Sequence, residues 1–190
     1  MKIASFDLET SSLLADFGIV LCGVVKPWFE PARIFRIDDY GGHVGSDDSR
    51  LVGRLIAELG EYLLLVAHNG VMFDRKFLNA RAVRAQLEPL NPRGRIIDPV
   101  WLARKHLNLR SNSLEAVSMH LQTVHRKLPV DGAVWQRAVL DHDGVALDEI
   151  VAHCVEDVLD LEEVCERLQI FVGKIDNWGS ANKELRYDGN

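Results

Sequence analysis

Cysteine is scarce in this chain of 190 residues: Cys22, Cys154 and Cys165 are the three, with no Cys-x-x-Cys spacing. An odd count without that spacing argues against a disulfide framework and against a thiolate zinc site. Long apolar runs are lacking as well. The longest, Gly18 to Val25, has eight residues, against the roughly 20 that a membrane span needs. Asp7 and Glu9 interrupt the first ten residues, where a secretory signal needs an apolar stretch. There is no internal repeat and no low-complexity block. What is present is ordinary for a globular protein: 47% apolar and 26% charged residues, which excludes disorder. At roughly 100–200 residues per domain, the length fits one domain. The expectation is a cytoplasmic protein with its domain over residues 1–172 and a polar tail over 173–190.

The net charge is −6, from 22 basic and 28 acidic side chains, which taken alone argues against a polyanionic partner. The distribution points the other way. Residues 1–73 carry six basic and ten acidic groups, residues 74–127 carry eleven and four, and residues 128–172 carry two and eleven. A basic middle between two acid-rich stretches suits a protein that grips a polyanion on one side and binds cations on another. Solvated helix faces would give the same counts.

Periodicity sets out the elements. Ile3, Ser5, Asp7 and Glu9 alternate with Ala4, Phe6 and Leu8, the pattern of a strand with a buried apolar back. Gly18–Lys26 and Ala32–Ile37 read as two more strands, and the short connections make an antiparallel meander. Asp47-Asp48-Ser49 offers N-cap oxygens to a helix reaching about Gly60. Leu63–Ala67 is wholly apolar, as in a buried parallel strand. A helix from about Phe73 to Leu87 and a short strand at Ile96-Ile97 follow. Asp98 caps the next helix, with Pro99 at its first position, and Ser113 caps another. A short helix around Ala133–Leu140 precedes the longest periodic stretch, Leu147 to Phe171. This order predicts an α/β fold, a mixed sheet with helices on both faces.

Three places hold acids with chemistry to offer. Asp7 and Glu9 are two apart on a strand, so they point to one face. Held side by side they repel unless a cation sits between them, and hard ions such as Mg²⁺ or Mn²⁺ prefer oxygen ligands. Asp74 stands in the first turn of a helix, where the dipole favours a carboxylate with or without a function. His153 and Asp157, at i and i+4, share a helix face, with Glu156 and Asp160 as rival acids. Taken singly, the same residues also fit an exposed strand end, a helix start and a solvated pair.

Taken together, Phe6-Asp7-Leu8-Glu9-Thr10, His68-Asn69-Gly70-Val71-Met72-Phe73-Asp74 and Asp157 resemble the motifs of the DEDD superfamily of 3′→5′ exonucleases, whose fold is ribonuclease H-like and which includes the proofreading exonucleases of DNA polymerases. The family's second motif is His-Asn-x-x-Phe-Asp; here the gap holds one extra residue. The resemblance covers residues 2–170 or so, and stand-alone versions with a short body look most similar. It implies a ribonuclease H-like five-stranded sheet, a three-strand antiparallel meander plus parallel strands. It implies that Asp7, Glu9, Asp74 and Asp157 hold two divalent cations, Mg²⁺ or Mn²⁺, about 4 Å apart, one activating a water and the other stabilising the leaving 3′ oxygen. It further implies that Thr10, Asn69 and Phe73 line a pocket for the terminal nucleotide of a DNA or RNA strand.

The third motif departs from the family. One branch has a His five residues before the Asp, as general base; the other has a Tyr four residues before it, to orient the water. Here position 152 is Ala and His153 stands four before Asp157, about 100° around the helix from the first branch's His. General base, water orienter and bystander all remain open for His153. Asp98-Pro99-Val100-Trp101-Leu102-Ala103 also resembles a recurrent feature of these enzymes, and Asp98 reads as an N-cap rather than a ligand. Candidate phosphate-binding side chains from the basic middle are Arg75, Lys76, Arg104, Lys105, Arg110, Arg126 and Lys127.

Two rivals share some of these features. Phe6-Asp7-Leu8-Glu9-Thr10 faintly matches the Asp-x-Asp-x-Thr opening of haloacid-dehalogenase-like phosphatases. Its second acid is Glu, however, and no Ser or Thr ends the run Leu63–Ala67. A catalytically inactive nucleic-acid-binding or adaptor module on the same fold would be expected to lose carboxylates whose repulsion nothing compensates; all four are present.

Overall fold

The alternation in the first strand decides how the sheet sits. Ala4, Phe6 and Leu8 are buried in β1 (Ile3–Thr10), and Asp7 and Glu9 look to the other face. A computed structural model describes residues 2–41, 47–90, 95–125 and 130–171. The expected tail, 173–190, and the candidate phosphate-binding residues Arg126 and Lys127 lie outside the described residues. After β1 come β2 (Val20–Pro27), β3 (Arg33–Arg36), α1 (Ser49–Leu59), β4 (Leu64–Val66), α2 (Asp74–Arg84), β5 (Arg95–Ile97), α3 (Pro99–His106), α4 (Leu114–Leu121), α5 (Gly132–Leu140) and α6 (Gly144–Leu168).

The sheet order is β3-β2-β1-β4-β5. β1 pairs antiparallel with β2, and β2 with β3. β1 and β4 pair in parallel, as do β4 and β5. This is the mixed sheet that the element order predicted, with the five strands that the family resemblance implied. α1 rests directly on it: a Cβ on Gly23 would stand 2.7 Å from Leu55 Cδ2 and 2.8 Å from Leu8 Cδ2. α6 covers the opposite face, which carries Asp7 and Glu9. The main core joins the sheet to α1, α2, α5 and the first half of α6. A second cluster joins β4 and β5 to α3, α4 and the last turns of α6. No described helix is long and apolar enough to cross a membrane.

Most element ends follow from local chemistry. Asp98 caps α3 by accepting from the Val100 amide, with Pro99 first in the helix, and Ser113 caps α4 through the Ala116 amide. α2 ends at Arg84 rather than Leu87, because Gln86 turns to a φ of 58°. α6 starts before Leu147, because Asp143 accepts from the Val145 and Ala146 amides.

One cap differs from expectation. Of the run Asp47-Asp48-Ser49, Asp47 accepts from the Ser49 amide at 3.0 Å, whereas Asp48, next to α1, makes no side-chain cap bond. Its carboxylate accepts from the Val20 amide at 2.8 Å and pairs with the buried Arg81 guanidinium at 2.7 Å. A buried guanidinium needs a charged partner more than a helix start needs a cap, since an unpaired buried charge costs several kcal/mol. The pair ties α1, α2 and β2 together, and Arg81 also reaches the Ala15 carbonyl.

Candidate active site

The parallel strands β1 and β4 end at one edge of the sheet, and the candidate residues collect there. β1 pairs with β4 only as far as Ser5, so beyond that point the strand's β4 side is open to other partners. The register with β2 shifts between Glu9 and Thr10, an irregularity of the kind that re-aims side chains next to functional sites.

β4 runs into the turn His68-Asn69-Gly70. Asn69 adopts a left-handed φ of 61°, a conformation that Asn tolerates. A Cβ on Gly70 would fall 2.2 Å from Ala67 Cβ, so only glycine fits. Asp98 fastens this turn from below. Its carboxylate accepts from the Asn69 amide at 2.8 Å, the Val71 amide at 3.4 Å and the Val100 amide at 3.2 Å. Burial pushes the Asp98 carboxyl up to about 6, against the pull of those three amides. The expected cap is thus present, and the same carboxylate also shapes the loop in front of Asp74.

Asp74 opens α2 with 2% exposure. Its Oδ1 accepts from the Leu8 amide at 3.2 Å, on the open side of β1. Burial raises its pKa well above the ordinary carboxylate value, and the neighbouring charge of Asp7 raises it further.

α6 brings the remaining groups across the sheet. Cys154 is fully buried, with Sγ 3.5 Å from both the carbonyl oxygen and Oδ2 of Asp7. Burial is also the chief cause that raises its thiol pKa. One residue earlier, His153 points its Nε2 to 3.8 Å from Glu9 Oε1 and 3.8 Å from Asp157 Oδ2. His153 and Asp157 are buried, at 8% and 3% exposure. Trp135 of α5 meets the imidazole edge to face, with centroids 6.1 Å apart. The rival acids of α6 face elsewhere. Glu156 is exposed and lies 3.3 Å from His125. Asp160 accepts from the Ser118 and Thr123 hydroxyls, which fasten α4 to α6.

The structure therefore gathers Asp7, Glu9, Asp74, His153 and Asp157 at one edge. Asp7 and Asp157 line a cleft of about 520 Å³, together with His68, Asn69, Arg104, Arg110 and Asn112. His68 Nε2 lies 2.8 Å from the Asn112 carbonyl, which ties the two walls, and Arg104 stacks over Trp101 at 5.0 Å. Thr10 and Phe73 are committed closer to home. The Thr10 hydroxyl donates to the Ser12 carbonyl at 2.8 Å, and Phe73 packs on Phe77. Lys76 and Lys105 are exposed and Arg75 half-buried. Trp135, Asn112 and the second role of Asp98 were not legible in the sequence, since each acts on a group from another element.

These residues fit divalent cations. Glu9, His153 and Asp157 each present a ligand atom, and these atoms lie within 4.8 Å of one another. The charge of Asp7 also raises the pKa of the buried Asp74, a repulsion that a cation would relieve.

A family model described as the RNase_H superfamily matches residues 4–169. The chain is similar to a "DNA polymerase III PolC-type" protein of Ureaplasma parvum serovar 3, at 27% identity over 166 residues, a match covering 76% of this chain and 11% of that protein. A solved structure of the family B DNA polymerase from the archaeon Pyrobaculum calidifontis superposes with a TM-score of 0.75 over 90% of this chain and 25% of that one. At 17% identity, that likeness speaks for the fold. The chain thus spans about a tenth of the one relative and a quarter of the other.

Proposed function

The chain belongs to the RNase_H superfamily, and from that premise we propose that it is a metal-dependent 3′→5′ exonuclease that removes nucleotides from the 3′ end of DNA or RNA. The observation that carries this reading is the convergence of acids from three distant elements: Asp7 and Glu9 on β1, Asp74 on α2 and Asp157 on α6. The polymerase relatives are in keeping with a nucleic-acid substrate.

Asp7, Glu9, Asp74 and Asp157 would hold two divalent ions, Mg²⁺ or Mn²⁺. Such a pair, when bound, activates the attacking water and stabilises the leaving 3′ oxygen. The chain's own residues do the positioning. Gly70 and Asp98 fix the turn that sets Asp74 against the Leu8 amide. Asn69, on the cleft wall, would offer its side-chain carboxamide to the terminal nucleotide. Arg104 and Arg110 line the same cleft and would neutralise the phosphates of the strand led into it. Three buried cysteines without a disulfide suit the cytoplasmic setting proposed for it. Membership of the superfamily sets the phosphatase alternative aside, and an inactive binding module would have no use for a buried Asp74 whose pKa burial and the charge of Asp7 both raise.

The test compares wild type and Asp7→Ala on single-stranded DNA and RNA oligonucleotides with Mg²⁺, Mn²⁺ or EDTA. Hydrolysis should require the metal, and Asp7→Ala should lose it by at least about 10³-fold, on the scale of losing metal-borne charge stabilisation of several kcal/mol. Undiminished turnover in Asp7→Ala would contradict the reading.

A further inference from the structure

The donor set at the edge of β1 is not all oxygen. His153 Nε2 is equidistant, at 3.8 Å, from Glu9 Oε1 and Asp157 Oδ2, the placement of a third donor to an ion that the two carboxylates share. Donors on one octahedral ion at about 2.1 Å stand about 3 Å apart, so each His153–carboxylate distance needs a closure of about 0.8 Å, which the side-chain torsions of Glu9 can supply on the strand and those of His153 and Asp157 on the helix. His153 and Asp157 are already aligned one helical turn apart. The edge-to-face packing of Trp135 holds the imidazole from behind, as supporting groups orient metal-binding histidines elsewhere.

Imidazole nitrogen suits the later first-row ions best; Mn²⁺, though it favours oxygen, accepts a nitrogen donor, whereas Mg²⁺ keeps to carboxylates, phosphates and water. We propose that His153 is a metal ligand. Glu9, His153 and Asp157 form a mixed nitrogen–oxygen site that takes Mn²⁺ or a later first-row ion in preference to Mg²⁺. This rests on the metal-dependent exonuclease reading and deepens it: the ion, rather than proton transfer, is what His153 serves.

Pulsed electron paramagnetic resonance of the full chain loaded with Mn²⁺ tests it. Wild type should show the coupling of a directly bound imidazole nitrogen, and histidine-selective ¹⁵N labelling should change it in the predicted isotopic ratio, so the readout needs no variant. His153→Gln should abolish the coupling, and His68→Gln, at the cleft wall, should keep it. By titration calorimetry, His153→Gln should weaken Mn²⁺ binding by about tenfold or more and Mg²⁺ binding by less than about threefold, because Mg²⁺ keeps to oxygen ligands and water and has no nitrogen donor to lose. Bound Mn²⁺ without nitrogen coupling, or a coupling that survives His153→Gln, overturns the ligand assignment and leaves the exonuclease reading standing. Binding of Mg²⁺ without Mn²⁺ overturns the ligand assignment alone, and binding of neither ion overturns both.

Discussion

Asp74 is a carboxylate held where charge is disfavoured. It is buried, Asp7 stands close, and the Leu8 amide gives only part of the compensation. Its pKa in the folded chain is raised, so the folded state keeps the proton more readily than the unfolded one. Without metal, stability is therefore greatest below the ordinary carboxylate range and declines as pH rises from about 4 toward the raised value. Asp74→Asn keeps an acceptor for Leu8 and removes the charge. In EDTA at pH 8 the variant should melt above wild type by at least about 2–4 °C, the span of roughly 1 kcal/mol in a domain of this size. At pH 4 the two should melt nearly together, while hydrolysis is lost at both. Calorimetry at the two pH values checks this, and a variant less stable than wild type at pH 8 would count against a repelling pair. Asp98 obeys the same sign, with stability declining between about 4 and its raised value of about 6.

At the scale of elements, β1, α2 and α6 each carry one part of the site. β1 brings two acids to an irregular strand end, the turn after β4 sets the start of α2, and α6 lays His153 and Asp157 across the sheet. What was legible in the sequence was what local chemistry decides. The alternation around Phe6, the apolar run of β4 and the caps Asp98 and Ser113 all depend on near neighbours. What was not legible depends on distant partners. Asp48 leaves its helix start for Arg81, 33 residues on. Which acid of α6 faces Glu9 is set by how the helix is rotated on the sheet, and Ser118 and Thr123 claim Asp160. The basic middle was likewise legible as a charge count but not as a surface: Arg81 serves the core, while Arg104 and Arg110 line the cleft. Replacing Arg104 and Arg110 together by Ala should weaken single-strand binding. It should also flatten the slope of log affinity against log salt by about 1.4, roughly 0.7 for each phosphate no longer neutralised. Fluorescence titrations at several salt concentrations measure it; an unchanged slope would assign the two arginines to solvent.

At the scale of the whole molecule, the charge asymmetry along the chain becomes a charge asymmetry across one cleft. Asp7 of β1 and Asp157 of α6 line it together with Arg104 of α3 and Arg110 of the segment before α4. A chain that spans only a fraction of its polymerase relatives carries the elements of the sheet, the acids and the basic wall within residues 3–168. The central claim is that this cleft consumes a strand from its 3′ end, and the direction of shortening tests it most directly. A single-stranded oligonucleotide labelled at its 5′ end is incubated with the protein and Mn²⁺ or Mg²⁺, and the products are resolved at single-nucleotide resolution. The account predicts a ladder in which the labelled strand shortens one nucleotide at a time, absent in EDTA and absent with Asp157→Asn. Immediate release of the label as a mononucleotide, cuts at internal positions, or a strand left intact with either metal would contradict it.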